Sequence, residues 1–271
     1  MSEEIDIERY FRPSKLPTLN DRNIKAEIFD NYYGDDSSEV PTLPEYLFKT
    51  SEDTVINYYS VLREAANSLE TKSAGCGTIG NAKTPYPIAY HFLSSEYRER
   101  LTFKEYLNEF ENILHINLIK VQEVPVYDDS DAMRYFVELE TIEGSEKGVA
   151  YFAYYYAFVD VVKEGNQFRI SNIDLYPQNF LCAPYHGWDY IAEEIVDIKY
   201  GEWCSLVKMR IPTQHVGFIK NIYFRGTDGK YYMIQFYQLT NGKDIEIAQY
   251  RRSRNGKWEL IKLDPSKCMD E

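Results

Sequence analysis

Between Ser51 and Tyr176 the sequence changes once from helical periodicity to the two-residue alternation of β-strands. Three helix signatures come first, and four long strand patterns rich in aromatic residues follow them. Helices grouped ahead of hairpin-connected strands pack on one side of an antiparallel sheet. The order therefore predicts an α+β fold, a cone in which three helices pack on one curved antiparallel sheet.

Each predicted helix has a recognisable start. Ser51 is a good N-cap with acidic residues directly after it, and Thr84-Pro85 places a proline where the first helical turn tolerates it. Thr102 and Glu105 have the spacing of a capping box. The apolar stripe of the first helix is expected at Val55, Tyr59, Leu62, Ala66 and Leu69, and the second helix is expected to reach Leu93.

The strands are predicted at 116–127, 133–142, 149–162 and 167–176. Alternation in the third strand divides its side chains between the two faces of the sheet. One face carries Phe152, Tyr154, Tyr156, Phe158 and Asp160. The other carries Tyr151, Ala153, Tyr155, Ala157 and Val159, and small alanines beside tyrosines favour a strongly bent sheet.

A second unit is predicted after Pro184. A helix is expected over 186–200, and the strands that follow are separated by three Asx-Gly pairs that favour two-residue hairpin turns with primed geometry. The pairs are Asp228-Gly229, Asn241-Gly242 and Asn255-Gly256. We therefore predict three parts: an extended N-terminal arm (1–50), a first domain (51–183), and a smaller domain of one helix and an antiparallel meander (184–271).

Charge and cysteine content limit the functional classes. The 271 residues carry a formal charge of -13, which disfavours binding to nucleic acid or to anionic membranes. No apolar run is long enough to insert into a membrane, and the first ten residues do not resemble a signal peptide. The four cysteines lack metal-ligand spacing, so no zinc site is predicted.

The cysteines are either free thiols or disulfides. The preferred pairs are Cys76 with Cys182 and Cys204 with Cys268, and an even count in loop-like segments favours an oxidising compartment. We therefore expect an extracytoplasmic protein, secreted or anchored in the envelope after a targeting segment is removed. A cytoplasmic protein with four free thiols is the alternative.

Three segments resemble the helical half of NTF2-like domains of the cystatin-like superfamily, especially those of bacterial cell-envelope proteins. They are SEDTVINYY (51–59), AYHFLSSEYR (89–98) and TFKEYL (102–107), and the resemblance covers roughly residues 51–180. It implies a pocket between sheet and helices. In isomerase-like relatives an acidic or histidine base and a tyrosine converge there, which makes Asp160 with Tyr154 or Tyr156 the catalytic candidates. Phe152, Tyr154, Tyr156 and Phe158 are the corresponding ligand-binding candidates.

Other motifs give no cofactor or metal prediction. The segment GCGTIG (75–80) has the letters of a dinucleotide fingerprint, but it follows a helix instead of a strand. Asp128, Asp129 and Asp131 begin like a calcium loop, yet Met133 stands where an oxygen ligand belongs. The four histidines fall in separate elements and are interpreted as structural.

One basic cluster stands out in this acidic chain. Arg251, Arg252 and Arg254 lie near Trp258 at a predicted hairpin tip, where they could dock an anionic partner or form a solvated turn. The leading hypothesis is a non-enzymatic envelope or secreted protein that binds a protein partner or small ligand through the pocket or a sheet face. The alternative is an isomerase- or hydratase-type enzyme that uses Asp160. A structural component that pairs through sheet edges, for example as a homodimer, is the third hypothesis.

Overall fold

The chain folds as an α+β protein with two antiparallel sheets. The computed structural model describes residues 14–30, 43–67, 82–127, 131–178 and 187–269. Two compact units are present, and each is described by itself. The first contains the described residues of Met1–Glu123 and Asp131–Gln178, and the second those of Val124–Ser130 and Asn179–Glu271.

The sheet of the first unit is a four-stranded meander in the order β1-β2-β3-β4. Its strands are β1 (Ile113–Val124), β2 (Met133–Glu143), β3 (Tyr151–Glu164) and β4 (Gln167–Pro177). All four were predicted, and β2, β3 and β4 begin or end within two residues of the predicted limits. A bulge between Asp160 and Val161 interrupts the pairing of β3 with β4. Bulges increase local twist, as a bent sheet requires.

Five helices are found among the described residues of the first unit. They are α1 (Ala26–Asp30), α2 (Ser51–Arg63), α3 (Pro85–Tyr90), α4 (Ser95–Arg100) and α5 (Phe103–Asn108), and a 3-10 turn spans Glu45–Phe48. The capping box of Thr102 and Glu105 is confirmed. The cap of α2 is Thr50, whose side chain accepts a hydrogen bond from the Asp53 N–H, so the predicted Ser51 cap is wrong by one residue.

Two helices are shorter than predicted because residues that were expected to extend them form isolated β-bridges instead. Ala66 does not continue α2 but pairs with Ala82, and Leu93 does not extend α3 but forms a parallel bridge with Ile170 of β4. A separate helix, α4, begins at the Ser94 cap. The backbone groups at these points therefore bond to extended chain and not to a further helical turn.

The core of the first unit lies between the helices and one face of the sheet. Val55, Tyr58 and Leu62 of α2 are buried against it. The sheet contributes Tyr135, Val137, Leu139, Ala157, Val159 and Ile170. These residues alternate along β2 and β3, so the helices cover the face that carries the odd-numbered side chains of those strands.

The described part of the N-terminal segment is tied to this unit through Asn20. Its fully buried side-chain amide donates to the carbonyls of Tyr59 (2.9 Å) and Ile116 (3.0 Å), and its oxygen accepts from the N–H of Leu118 (2.8 Å). One carboxamide thus joins α2 to β1. The predicted extended arm also contains α1 and the 3-10 turn within its described residues.

The second unit packs a helical segment on a six-stranded sheet in the order β10-β9-β8-β7-β5, with β6 paired to β7. The strands are β5 (Val207–Arg210), β6 (Gln214–Val216), β7 (Ile219–Gly226), β8 (Tyr231–Gln238), β9 (Asp244–Arg252) and β10 (Trp258–Leu260). The predicted helix is α6 (Ala192–Ile195), which continues as a π-helix over Val196–Trp203. Val196, Tyr200, Phe224 and Ile234 are fully buried in the core.

The three Asx-Gly pairs form hairpins, but not with the predicted primed two-residue turns. Primed type I turns need positive φ at both central residues. Only the glycines have it, as Gly229 does with φ of 81°, and its N–H donates to the carbonyl of Gly226. Gly242 and Gly256 repeat this arrangement with Leu239 and Ser253. Each hairpin is therefore a type I turn closed by a glycine bulge.

One predicted disulfide is present. The sulfur atoms of Cys204 and Cys268 are 2.10 Å apart, and the bond joins the end of the π-helix to a C-terminal 3-10 turn. The other predicted pair, Cys76 with Cys182, lies outside the described residues, as do the glycine-rich segment 75–80, Asp128, Asp129 and His186. A disulfide favours an oxidising compartment.

We expect Asn20→Asp to lower the free energy of unfolding by about 2 to 5 kcal/mol, because two buried carbonyls lose their donor and face a carboxylate instead. Urea denaturation followed by circular dichroism measures the change. Asn23→Asp, at an exposed site in the same segment, is the matched control and should be nearly neutral. Equal effects of the two substitutions would contradict the role given to Asn20.

Replacing both Cys204 and Cys268 with serine should lower the free energy of unfolding of the oxidised protein by about 2 to 4 kcal/mol. The bond closes a loop of sequence separation 64, so its loss releases conformational entropy in the unfolded chain. Guanidinium denaturation of wild type and variant provides the comparison. An unchanged midpoint and slope would show that the bond does not constrain the unfolded state.

Candidate functional site

A cavity of about 410 Å³ opens between the helices and the sheet of the first unit. Its apolar lining consists of Phe110, Ile113, Ile116, Leu139, Ile173 and Leu175. Its polar lining consists of Tyr58, Tyr59, Glu109, Thr141 and Tyr155. No lysine, arginine or histidine is among these lining residues.

Tyr155 is the residue of β3 that lines the cavity. It lies between Ala153 and Ala157 on one face of the strand and is paired across the strands with Leu139. Tyr58 and Tyr59 of α2 close the opposite wall.

Glu143 orders the polar side of the cavity. Its carboxylate accepts hydrogen bonds from the hydroxyls of Tyr155 (2.8 Å), Thr141 (3.0 Å) and Tyr151 (2.8 Å). Burial, reinforced by the Glu143 carboxylate, raises the pKa of Tyr155, so this phenol remains protonated near neutral pH. The hydroxyl hydrogens of Tyr155 and Thr141 are thus directed at Glu143, and their oxygens are left to accept hydrogen bonds.

Glu109 follows α5 and contributes the carboxylate of the cavity lining. Although the residue is exposed, partial withdrawal of its carboxyl from water raises its pKa above the usual value. With Thr141 and Tyr155, it gives the lining three groups that accept hydrogen bonds. The polar part of the cavity therefore suits a ligand group that donates hydrogen bonds.

The predicted constellation of Asp160, Tyr154 and Tyr156 does not lie in this cavity. The pairing of β2 with β3 places all three residues on the opposite face of the sheet from Tyr155, together with Phe152 and Phe158. The alternation was predicted correctly, but the helices cover the other face. The structure therefore corrects the placement of these residues and puts Tyr155 at the predicted pocket.

On that opposite face Asp160 is bound by arginine. The Arg134 guanidinium donates to both carboxylate oxygens, at 2.6 and 2.8 Å. Bidentate ion pairs of this kind hold a carboxylate in one geometry. Tyr154 likewise donates to the buried Glu140 at 2.5 Å. Both residues are engaged in contacts that stabilise the sheet.

The same face carries buried charge and a row of stacked rings. Lys120 of β1 and Glu138 of β2 form a buried ion pair at 2.8 Å. The rings of Phe136, Tyr156 and Tyr176 stack across β2, β3 and β4, with centroids 5.7 and 5.0 Å apart. These contacts link neighbouring strands side by side, as cross-strand pairs do.

His91 is partly buried beside Arg98 and Arg169, and its structural role stays a prediction. Burial, together with the nearby Arg98 and Arg169 guanidinium groups, lowers its pKa to about 4. The ring is therefore neutral at pH 7, and its Nδ1 lies 3.0 Å from the Arg98 Nη1. A neutral imidazole nitrogen accepts this bond without opposing charge.

The predicted basic cluster lies in the second unit. Arg251, Arg252 and Arg254 line a surface groove with Lys230, whereas Trp258 is not part of that lining and packs instead on Tyr223, with centroids 5.8 Å apart. The structure thus brings the three arginines together. Trp258 is the cross-strand partner of Arg252 but lies outside the groove lining.

Several residues of the cavity were not predicted. They are Tyr58, Tyr59, Glu109, Thr141 and Tyr155, and Glu143, which binds two of them from outside the lining, was not predicted either. No local signal distinguishes Tyr155 from the other tyrosines of β3. Glu109 and Thr141 carry no local motif, and only the tertiary fold brings them to the cavity.

Within the described ranges, no three histidine, cysteine, aspartate or glutamate side chains cluster in a way that could hold a metal ion. None of the helices in the described part of the chain is long and apolar enough to cross a membrane. Comparison of the chain with protein-family models, with curated proteins and with solved structures found no match.

Proposed function

We propose that this protein is a non-enzymatic binding protein whose first unit is an NTF2-like cone, and that it holds a small, mostly apolar ligand with a hydrogen-bond donor at one end. The observation that carries the proposal is the cavity of about 410 Å³ with its partly apolar, acceptor-bearing lining. Small-molecule sites in proteins occupy about 300–1,000 Å³ and combine an apolar wall with a few oriented polar groups.

The apolar lining indicates that most of the ligand surface is apolar. Phe110, Leu139 and Ile173 contribute from a helix end and from two strands, so apolar surface surrounds a ligand from more than one side. Removing apolar surface from water is the main favourable contribution to such binding. A hydrocarbon chain or ring system matches this wall.

The polar lining indicates which functional group the ligand carries. Since the Tyr155 and Thr141 hydroxyls donate to Glu143, their oxygens and the Glu109 carboxylate accept hydrogen bonds from the ligand. Among the lining residues that the structure describes, none is basic and able to neutralise an anion. An amine or ammonium group fits this lining best, and a fatty acid or a phosphate ester does not.

Two observations support the rest of the proposal. Helices α2 to α5 precede a four-stranded meander and share the core on one of its faces, in agreement with the resemblance of residues 51–180 to NTF2-like domains. The Cys204–Cys268 disulfide supports an extracytoplasmic location. The isomerase or hydratase alternative receives less support, because the Asp160 carboxylate is bound by Arg134 on the face away from the cavity.

Filling the cavity should abolish ligand binding. The neutral amine N-phenyl-1-naphthylamine is expected to gain fluorescence on binding, and Leu175→Trp should weaken that binding at least about tenfold, because the larger ring occupies the ligand volume. Leu175 is 46% exposed, so the substitution leaves the core intact. Fluorescence titration measures both affinities.

Val149→Trp is the matched control, since Val149 is 58% exposed and does not line the cavity. It should bind the probe like wild type. If both variants bound the probe equally well, or if wild type did not bind it, the cavity would not be a ligand site.

Binding of an ammonium ligand should depend on pH through Glu109. The carboxylate is ionised above its raised pKa, so affinity for octylammonium is present at neutral pH and is lost as the pH falls through that pKa. Glu109→Gln should weaken binding at pH 7 by about two- to fivefold and flatten the pH profile. Displacement of N-phenyl-1-naphthylamine provides the measurement, and an unchanged profile in Glu109→Gln would exclude this carboxylate from the site.

A further inference from the structure

Two hairpins of the second unit bring basic residues together at one end of its sheet. The turn between β7 and β8 contains Lys230, and the turn between β9 and β10 follows Arg251 and Arg252. Strand β8 lies next to β9, and Tyr232 is paired with Arg251. The pairing therefore places Lys230 beside the arginine-bearing hairpin.

These residues line a groove of about 510 Å³. The lining consists of Lys230, Arg251, Arg252, Ser253, Arg254, Asn255 and Glu259. Four side chains are cationic and one is a carboxylate. The chain as a whole carries a formal charge of -13, whereas the groove lining carries an excess of positive charge.

Two of the guanidinium groups are available to a ligand. Neither Arg251 nor Arg254 forms an ion pair or a side-chain hydrogen bond with any residue that the structure describes. Lys230 is partly satisfied by Asp228 at 3.3 Å, and Glu259 is the cross-strand neighbour of Arg251. Even with both carboxylates counted, the positive charges are in excess.

The backbone under the groove is fixed by its turn. The Asn255 side-chain oxygen accepts from the Lys257 N–H (3.1 Å) and from the Ser253 hydroxyl (2.5 Å), while Arg252 Nε donates to the Gly256 carbonyl (3.2 Å). Because the oxygen of Asn255 is held inside the turn, its amide hydrogens remain available as donors. The hairpin is thus a rigid support for several outward donors.

We infer that this groove binds a phosphate-type oxyanion through Arg251, Arg254 and Lys230. Guanidinium groups match such oxyanions with paired N–H donors, and charge-assisted bonds of this kind are stronger than neutral ones. The inference concerns the second unit and does not depend on the cavity of the first unit. The same phosphate chemistry is offered by a free phosphate compound and by a lipid headgroup, and the experiment separates these sources.

Calorimetric titration with pyrophosphate at low ionic strength tests the free form, and co-sedimentation with phosphatidylglycerol vesicles tests the headgroup. The test variant is Arg251→Gln with Arg254→Gln. Since the two arginines have no described partner, its melting temperature should equal that of wild type. Loss of two charge-assisted contacts should weaken binding at least about tenfold.

The matched control is Lys208→Gln with Lys262→Gln, which removes the same charge from exposed sites of the same unit outside the groove. It should retain most of the affinity. Pyrophosphate binding that is lost only in the arginine variant supports a free phosphate ligand, and vesicle binding alone with the same loss supports a headgroup. No binding of either probe, or equal losses in the two variants, would overturn the inference.

Discussion

The pleat of β3 is the constraint on which the rest of the first unit depends. Odd-numbered side chains of this strand point toward the helices, and even-numbered ones point away. The cavity therefore lies on one face of the sheet, and the ion pairs and stacked rings lie on the other. The opposite face carries the Arg134–Asp160 ion pair and the Phe136–Tyr156–Tyr176 stack, which join neighbouring strands. The proposed ligand site and the structural contacts thus lie on opposite faces of one strand.

Glu143 lies at the end of β2, on the face of the sheet that carries the cavity. Its carboxylate fixes two tyrosine hydroxyls and one threonine hydroxyl, and it does so from a buried position near the start of β3. Orienting hydroxyls in advance reduces the conformational freedom that a ligand would otherwise have to restrict. The hydrogen-bonding character of the cavity is therefore set by a residue that is not itself in the lining.

Periodicity and capping chemistry were sufficient to predict the strands of the first sheet, the capping box at Thr102 and the positions of the three Asx-Gly hairpins, since these signals are local. Three features could not be read in this way. Helix ends at Ala66 and Leu93 depend on bridges to distant residues, and Asx-Gly pairs are compatible with both primed turns and glycine bulges. Both faces of β3 are rich in aromatic residues, so the hydrophobic pattern does not indicate which face meets the helices. Tyr154 and Tyr156 were therefore predicted as site residues, and Tyr155 was not.

The disulfide also changes what limited proteolysis of this chain would produce. Cys204 and Cys268 enclose all six strands of the second sheet, including the exposed hairpin turns. A single backbone cut at any of these turns leaves both fragments joined through sulfur. The nicked protein would stay in one piece and separate into two fragments only after reduction, so a single cut at a turn does not release the strands that follow it.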